Sequence, residues 1–356
     1  TSLLDPWLRY LWEISATDLH FSVGSSPRVR IDGRLVPIPE APATTLEELD
    51  AIHKGLMSPS EQAIYQKDRQ LDYAFSWADT ARFRANSFHQ VGRPALALRL
   101  IPSKIPSPEQ LGLPPAAGEF VQLPHGLVLV TGPTGSGKTT TLYAMLTKLY
   151  DPAWKIITIE DPVEYELQGV NQIPVNPERG LSFATGLRSI LRQDPDVIMV
   201  GEVRDNETAD ISVRAALTGH LIFSTLHTND ASSAIGRLLD MDVEPFLVAS
   251  SLSAVLAQRL VRTLHQSCKG AGCVECLHSG FKGRIGIFEL LAVSPGLRAM
   301  IERQEPETVM RAHARHEGIP SMYSRALDTV NAGRTSVEEV LRVVPPEARD
   351  TLASET

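Results

Sequence analysis

One glycine-rich stretch constrains the fold of this chain more than any other part of its sequence. Residues 132–139 read GPTGSGKT and match the pattern G-x-x-x-x-G-K-[ST] at every fixed position. An apolar run at 127–130 precedes this stretch, and the helix-forming run 140–146 follows it. In that context glycines allow backbone N–H groups to turn toward phosphate oxygens, and the helix amino terminus adds a favourable dipole. The motif therefore predicts a phosphate-binding loop in an α/β domain.

Each position of this loop has a predicted part in holding a nucleotide such as ATP. Lys138 is expected to reach the β- and γ-phosphates, and the hydroxyl of Thr139 is expected to bind Mg²⁺. A chance glycine-rich turn is the alternative, but it would require neither the strand before the loop nor the helix after it. The predicted nucleotide-binding residues of this segment are Gly132, Pro133, Thr134, Gly135, Ser136, Gly137, Lys138, Thr139 and Thr140.

The chain around this loop divides into three stretches by its sequence pattern. Residues 1–102 contain short alternating runs and a helix start signal, which predicts a small α/β domain. The stretch 103–118 is proline-rich and lacks periodicity, as expected of an interdomain linker. In 119–356 short apolar runs alternate with helical stretches, and a helical tail begins at about residue 290. This pattern predicts a parallel β-sheet covered by helices on both faces.

Acidic residues follow two of the predicted strands, where ligands gather in open α/β sheets. Glu160, Asp161 and Glu164 come after one apolar run, and Glu202 comes after another, at the position where P-loop enzymes hold a Mg²⁺-binding acid. One carboxylate can hold the metal through water while another polarises the attacking water. For Glu160 and Asp161, helix capping or solvation of the strand end is the alternative.

Two histidines flank the apolar run 221–223. His220 precedes this run, and His227 follows it in the sequence STLHTND. A polar side chain at the carboxyl end of such a strand could sense the γ-phosphate, whereas a single histidine there is more often structural. The paired placement leaves both interpretations open.

All three cysteines of the chain fall within nine residues, at Cys268, Cys273 and Cys276. An odd, clustered set in a chain without an export signal indicates a metal site more than a disulfide framework. We therefore expect a metal ion at this cluster and place the chain in the cytosol.

Net charge and hydropathy exclude two broad classes of function. The formal net charge of −8 argues against a general nucleic-acid binder, which needs a basic surface to neutralise phosphates. No apolar run approaches the roughly 18–20 residues that a membrane-spanning helix requires. The sequence does not begin with Met, so we expect residues to have been removed before Thr1 by processing or trimming.

Four motifs stand in order along the chain and together resemble the secretion ATPases of type II secretion systems and type IV pili. They read GPTGSGKTT, ITIEDPVE, DVIMVGEVRD and TGHLIFSTLHTND. RFRAN and LRLIPSKIPS are similar to segments of that family's PAS-like domain, and FKGRIGIFELL is similar to its segment after the cysteine motif. The resemblance implies a RecA-like P-loop NTPase domain with a parallel sheet, preceded by a PAS-like α/β domain and followed by a helical tail.

The resemblance also implies roles for particular side chains. Glu164 would be the catalytic base, and Glu202 would support Mg²⁺. Two arginines of the first domain, Arg84 and Arg99, would act on the nucleotide of a neighbouring subunit. The remaining implied site residues are His220 and His227, which would monitor the phosphates, and Arg188 and Arg192, which would line the site or simply lie on a solvated helix face.

The cysteine motif, at about 262–284, departs from the pattern of the family, which has two Cys-x-x-Cys pairs separated by a longer loop. His265 stands where the first cysteine would be, and an imidazole with three thiolates is an accepted tetrahedral set for Zn²⁺. His278 is the rival fourth ligand. The resemblance therefore predicts a zinc ion held by Cys268, Cys273 and Cys276 together with one of these two histidines.

Members of this family work as homo-hexameric rings that act on an inner-membrane platform protein. The resemblance thus implies ATP hydrolysis that powers pilus assembly or protein secretion, at the cytoplasmic face of the inner membrane. The cysteine motif favours assembly or secretion, whereas the first domain resembles pilus-retraction members. A DNA-translocating motor and a nucleotide-gated binding module are the other classes, disfavoured by the acidic charge and by intact Glu164 and Glu202 respectively. The larger assembly-type members carry a further amino-terminal domain that this sequence does not include.

Overall fold

The computed structural model of the protein describes residues 3–78, 80–102 and 105–346, which belong to two units. The first unit comprises residues 1–104 and 281–283, and the second comprises 105–280 and 284–356.

The first unit is built on a six-stranded sheet with the strand order β3-β2-β1-β6-β5-β4, in which neighbours run antiparallel. In β5, Phe83 and Ala85 are buried and Arg84 between them is exposed, as the alternation of side chains in a strand requires. The helix start signal in this part of the sequence is Thr45-x-x-Glu48, and the structure confirms it as a capping box at the start of α2. The elements are α1 (Asp5–Glu13), β1 (Asp18–Ser22), β2 (Arg28–Ile31), β3 (Arg34–Pro37), α2 (Leu46–Leu56), α3 (Pro59–Asp68), β4 (Gln70–Trp77), β5 (Ala81–Gln90) and β6 (Arg93–Pro102).

The second unit is built on a seven-stranded sheet with the order β13-β12-β7-β11-β10-β8-β9. From β12 to β9 each neighbouring pair is parallel. The elements up to the last strand are α4 (Pro108–Leu111), α5 (Ala117–Phe120), β7 (Gly126–Thr131), α6 (Lys138–Leu149), β8 (Ile156–Glu160), β9 (Asn171–Pro174), α7 (Phe183–Ile190), β10 (Val197–Val200), α8 (Asn206–Leu217), β11 (Leu221–Leu226), α9 (Ala231–Asp240), α10 (Pro245–Ser251), β12 (Leu252–Leu264) and β13 (Phe281–Ala292).

The four predicted strands of this sheet, β7, β8, β10 and β11, are confirmed and buried along their whole length. Such continuous burial is what a parallel sheet with helices on both faces produces. One face packs in a large core with α7 to α10, and the other packs against α6. Because the four strands run in the same direction, their carboxyl ends meet at one edge of the sheet.

The proline-rich stretch between the predicted domains contains two one-turn helices, α4 and α5. Ser107 and Gln110 form a capping box at the start of α4, and Pro108 occupies the first helical turn. Gly112 then ends the helix in the left-handed region, at φ 76°. A single turn is too short to show periodicity, which explains why the sequence pattern predicted only a linker.

Up to residue 346, four helices follow β13 and confirm the predicted helical tail: α11 (Pro295–Glu302), α12 (Glu307–His316), α13 (Met322–Asn331) and α14 (Val337–Val343). The sequence Ser336-x-x-Glu339 predicts the start of a helix, and the structure confirms it, because the Ser336 hydroxyl accepts a hydrogen bond from the Glu339 amide. The Glu339 carboxylate is buried and lies between the guanidinium groups of Arg262 on β12 and Arg342 on α14, at 2.7 Å and 2.6 Å. This buried charge cluster joins the tail to the sheet. Within the described ranges, none of the helices combines the length and apolar character needed to span a bilayer.

Candidate nucleotide-binding site and cysteine cluster

The predicted phosphate loop connects β7 to α6 and depends on glycine at two crowded positions. Gly132 and Gly137 have φ angles of 153° and 89°. A Cβ atom at Gly132 would lie 2.4 Å from the Gln258 carbonyl oxygen, and one at Gly137 would lie 2.9 Å from the Gln258 side-chain nitrogen. Only glycine fits both the backbone conformation and the space.

Lys138 lies at the first position of α6 and turns back over the loop. Its Nζ donates hydrogen bonds to the carbonyl oxygens of Gly132 at 2.9 Å and Pro133 at 3.2 Å. Burial lowers the pKa of this ammonium group, Glu202 opposes that shift, and Arg259 adds to it. The hydroxyl of Ser136 is buried without a hydrogen-bond partner among the described residues. Buried polar atoms are normally paired, so this hydroxyl fits a loop that receives an oxygen-rich anion.

Two residues of β12 support the loop, and sequence pattern did not identify either of them. Gln258 accepts a hydrogen bond from the Thr141 hydroxyl at 2.8 Å. Arg259 is buried and donates to the carbonyl oxygens of Gln258 at 3.2 Å and Asn229 at 2.7 Å. The available signal was a Gln-Arg pair inside the otherwise apolar run 254–261.

The segment after β11 is fastened to the strand that leads into the phosphate loop. The hydroxyls of Thr131 and Thr228 lie 2.6 Å apart, and the Thr228 amide donates to the Thr131 hydroxyl at 3.0 Å. His227 therefore stands beside the phosphate loop, at the carboxyl edge of the sheet where the sequence placed it.

A cluster of charged side chains occupies the same edge. Glu202 accepts a hydrogen bond from Arg204 at 2.5 Å and lies 3.7 Å from His227 Nε2. Burial lowers the pKa of His227, nearby Lys138 and Arg204 lower it further, and Glu202 opposes them. Arg204 also pairs with Asp161 at 3.4 Å, and the sequence interpretation missed its position although it follows Glu202 by two residues. The structure thus brings together Lys138, Glu202 and His227, as predicted, and adds Arg204.

The glutamates after β8 have different surroundings. Glu160 is buried and accepts hydrogen bonds from Tyr143 on α6, from Thr158 and from Gln172. Neither capping nor strand-end solvation describes it. Glu164 is half-buried, and its backbone amide donates to the Tyr143 hydroxyl at 3.1 Å. The segment that carries Glu164 is therefore tied to the helix that begins at Lys138.

His220 lies at the opposite edge of the sheet from the phosphate loop. It precedes β11, where its Nδ1 is 3.0 Å from the Ala215 carbonyl oxygen and its own carbonyl accepts from the Gly126 amide at the start of β7. Six strand residues at about 3.3 Å each separate this position from the carboxyl edge by roughly 20 Å. His220 therefore does not contact the phosphate loop of its own chain, and a role for it in monitoring the phosphates stays a prediction.

Arg188 is exposed on α7, and Arg192 is exposed two residues after the end of this helix. Arg188 pairs with Glu207 on α8, and Arg192 donates to the Arg188 carbonyl oxygen at 2.8 Å. These contacts fit a solvated helix face within a single chain. A role for either arginine in the nucleotide site stays a prediction.

In the first unit, Arg84 and Arg99 stand directly opposite each other in the β5–β6 register and are both exposed. Arg99 pairs with Asp18 on β1 at 2.9 Å. Local pairing with an acid such as Asp72 or Asp79 is the alternative to a role at a neighbour's site. Asp72 accepts a hydrogen bond from Asn86 at 3.0 Å, and Asp79 lies outside the described residues. The outer face of this sheet therefore presents two adjacent guanidinium groups.

The three cysteines and His265 converge after the end of β12. Their ligand atoms all lie within 4.8 Å of one another. His265 Nδ1 is 3.5 Å from Cys268 Sγ and 3.3 Å from Cys273 Sγ. Cys276 Sγ lies 3.9 Å from the sulfur of Cys268 and 3.8 Å from that of Cys273. Of the two histidines that the sequence left open, His265 belongs to this group and His278 does not.

These separations match a tetrahedral zinc site. Zinc–ligand bonds of about 2.3 Å to sulfur and about 2.0 Å to nitrogen imply edges of about 3.8 Å and 3.5 Å. Glu275 lies 3.5 Å from the outer nitrogen of His265, as the outer-shell carboxylate of a metal-binding histidine does. Burial raises the pKa of the Cys276 thiol, but hydrogen bonds from the Cys273 and Gly280 amides outweigh this effect and lower the pKa to about 6. The four side chains therefore fit Zn²⁺.

Comparison with known proteins places these features in a family. The family model described as type II/IV secretion system protein matches residues 2–342 of this chain. The type II secretion system protein HxcR of Pseudomonas aeruginosa is 42% identical over 354 residues, which cover 92% of this chain and 74% of that protein. The type IV pilus assembly ATPase PilB of Thermus thermophilus is 39% identical over 364 residues, which cover 92% of this chain and 41% of that protein.

Several type II secretion system E proteins are also similar, and the chain spans about half of their length. Among solved structures, the crystal structure of the pilus retraction motor PilT with bound ADP has a TM-score of 0.79 and 33% identity, and the match covers 98% of each chain. This likeness confirms the predicted fold class.

Proposed function

The chain belongs to the type II/IV secretion system protein family and is an ATPase, and we propose that it is a hexameric motor for type II protein secretion or type IV pilus assembly. The proposal rests on one observation. Lys138, Glu202 and His227 lie together at the carboxyl edge of a parallel sheet, beside a phosphate loop that requires glycine. Similarity to HxcR and PilB supports secretion or pilus assembly rather than pilus retraction.

The side chains of this edge divide the work of hydrolysis. The Lys138 ammonium group and the backbone amides of the loop hold the β- and γ-phosphates, and His227 senses the terminal phosphate. Thr139 and Glu202 are the residues that would hold Mg²⁺, which neutralises charge on the phosphate oxygens when bound. Glu164 orients and deprotonates the attacking water. Arg204 donates a hydrogen bond to Glu202 and limits the movement of that carboxylate.

The proposed ring would complete each site with arginines from a neighbouring chain. Arg84 and Arg99 are adjacent and exposed, and an arginine delivered by a neighbour makes hydrolysis depend on assembly. The ion pair of Arg99 with Asp18 leaves 65% of the arginine side chain exposed. Asp18 itself is buried, but it also lies 3.7 Å from the Arg30 guanidinium group, so it keeps one cationic partner if Arg99 turns toward a neighbour's phosphate.

Subunit mixing tests this arrangement. Arg84→Ala chains and Lys138→Ala chains should each be nearly inactive alone, because each lacks one half of a shared site. In mixed rings some interfaces join an intact Arg84 to an intact phosphate loop, so ATPase activity should partly return. Arg28→Ala, at an exposed position of β2 in the same sheet, is the matched control and should hydrolyse ATP normally without mixing. Flat activity at every mixing ratio, with mixed rings verified, would contradict donation between subunits.

We also propose that Cys268, Cys273, Cys276 and His265 bind one structural zinc ion. Purified protein should contain about one zinc per chain, and Cys273→Ser should release the metal and lower the melting temperature, because zinc binding contributes to folding. His265→Ala should lose the metal, whereas His278→Ala is the matched control and should keep it. Metal analysis of protein prepared without chelator decides the question, since a metal-free product excludes the site.

Co-purification and deletion distinguish secretion or assembly from retraction. Pilus retraction is the second candidate function, because the chain is similar in structure to the retraction motor PilT. A motor for secretion or assembly should co-purify from bacterial membranes with a polytopic inner-membrane platform protein. Loss of the chain should then abolish secretion or leave cells without pili, whereas loss of a retraction motor should leave excess pili. Excess pili in cells that lack the chain would overturn the assembly or secretion assignment.

A further inference from the structure

Tyr143 connects the helix of the phosphate loop to the segment that carries Glu164. It lies in α6, five residues after Lys138, and its side chain is fully buried. Its hydroxyl donates to the Glu160 carboxylate and accepts from the backbone amides of Glu164 at 3.1 Å and Tyr165 at 3.5 Å. A tyrosine hydroxyl has one hydrogen to donate and accepts through its oxygen, so these contacts use its full capacity.

The acceptor of this hydroxyl is itself held in place. Besides Tyr143, the Glu160 carboxylate accepts from the Thr158 hydroxyl and from the Gln172 side chain at 3.1 Å. Three donors around one buried carboxylate fix its orientation. Glu160 is the acceptor in each of these contacts, so the hydroxyl hydrogen of Tyr143 points toward it. The oxygen of Tyr143 is then left facing the two amides.

Gln172 on β9 holds the same segment from its other end. Its amide nitrogen donates to the Tyr165 carbonyl oxygen at 2.8 Å, and its side-chain oxygen accepts from the Leu167 amide at 2.7 Å. The backbone from Glu164 to Leu167 is thus hydrogen-bonded by the buried side chain of Tyr143 and the half-buried side chain of Gln172 rather than by regular secondary structure. Small changes in either side chain would move the backbone of Glu164.

We propose that Tyr143, assisted by Gln172, is a positioning residue that sets the place of Glu164 relative to the phosphate loop. This inference rests on the proposed role of Glu164 as the base. α6 begins at Lys138, and Tyr143 lies about one helical turn further along it. If the loop moves, the helix therefore moves Tyr143, and the hydrogen bond from the Glu164 amide to Tyr143 moves Glu164 with it. The base is thereby aligned by the same helix that holds the phosphates.

Removal of one oxygen atom tests this role. Tyr143→Phe should lower kcat by about 10- to 100-fold, since a misplaced catalytic group costs rate in this range. The KM for ATP and the affinity for a non-hydrolysable ATP analogue should change by less than about twofold, because the phosphate contacts are intact. Tyr165→Phe is the matched control: its ring packs edge-to-face on that of Tyr143 at 5.2 Å between centroids, and its hydroxyl has no part in these hydrogen bonds. It should keep wild-type kcat.

A double-mutant cycle separates positioning from a general loss of stability. If Tyr143 acts through Glu164, Tyr143→Phe should add no further loss of kcat to Glu164→Gln. A purely structural role would lower kcat by the same factor in both backgrounds. Gln172→Met removes the other support and should show the same non-additivity, so it replaces Tyr143→Phe if that variant does not fold.

The outcomes distinguish this inference from the proposed function. Normal turnover in Glu164→Gln would show that Glu164 is not the base, and it would overturn the proposed chemistry. An inactive Glu164→Gln together with wild-type kcat in Tyr143→Phe and Gln172→Met would overturn the positioning role alone. Multiplicative losses in the cycle, or a loss in Tyr165→Phe equal to that in Tyr143→Phe, would overturn it as well.

Discussion

Replacing Lys138 by alanine is expected to lower ATP turnover by at least about 10³-fold and to weaken nucleotide binding. The ammonium group supplies charge-assisted hydrogen bonds to phosphates that become more negative as the γ-phosphate leaves, in a site where water cannot replace it. In the structure this group is buried and bonded only to loop carbonyls, so it is already held over the loop. Phosphate release and equilibrium binding of a fluorescent ATP analogue measure the two effects.

The matched control for this change lies on the same helix. Lys148 is near the end of α6 and pairs at the surface with Glu109 at 2.8 Å. Lys148→Ala removes the same side chain from α6 but leaves the phosphate loop intact, so its turnover should stay close to wild type. Near-normal turnover in Lys138→Ala would contradict the assignment of the phosphate loop.

Glu164→Gln is expected to lower turnover by about 10²-fold or more while binding of ATP and Mg²⁺ is retained. The amide keeps the shape of the side chain and its backbone tie to Tyr143, but it cannot accept a proton from water. Glu166→Gln, two residues further along the same segment, is the control and should hydrolyse ATP at nearly the wild-type rate.

Glu202→Gln should show a different defect, because a residue that supports Mg²⁺ affects the requirement for the metal. Its turnover should recover in part at high Mg²⁺, whereas that of Glu164→Gln should not. A titration of activity against Mg²⁺ for both variants separates the roles. If the Mg²⁺ requirement rises in Glu164→Gln instead, the two assignments must be exchanged.

The framework of the second unit could be predicted from sequence because each central strand is a short apolar run. Burial on both faces allows no alternation in such strands, so β7, β8, β10 and β11 were visible as runs between helical stretches. Short elements were not visible unless, like β10, they were wholly apolar. α4 and β9 each have four residues, and four residues are too few to display either helical or strand periodicity.

The site could be predicted where a motif fixes the backbone and not where distant strands meet it. Lys138, Glu202 and His227 follow strand ends, so their convergence follows from the parallel sheet. Gln258 supports the loop only because β12 pairs with β7, a pairing that no local signal specifies. Tyr143 looked like one more apolar residue of the helix, since its hydroxyl partners come from 17 to 22 positions away.

His220 shows that two residues of one motif can have different surroundings. It shares a histidine-containing motif with His227, yet the two residues stand at opposite ends of β11. Because ligands gather at the carboxyl ends of a parallel sheet, His227 lies beside the phosphate loop of its own chain and His220 does not. For the metal cluster, the sequence did not decide whether His265 or His278 is the fourth ligand. The structure selects His265, which directly follows the end of β12 and lies beside the three cysteines.

The buried Glu339 makes the attachment of the tail indifferent to pH over the range in which the chain works. Burial raises the pKa of this carboxyl, but hydrogen bonds from Arg342 and Arg262 outweigh burial and lower it to about 2. A lowered pKa in the folded state contributes stability that is complete above the ordinary value of 4.5 and is lost only as the pH falls through about 2. Near neutrality the carboxylate is therefore fully charged, and the last helix stays on the sheet in mild acid and mild base alike. At the phosphate loop, by contrast, the pKa of His227 is lowered, so this side chain reaches its neutral form at a lower pH than an ordinary histidine and can make turnover depend on pH.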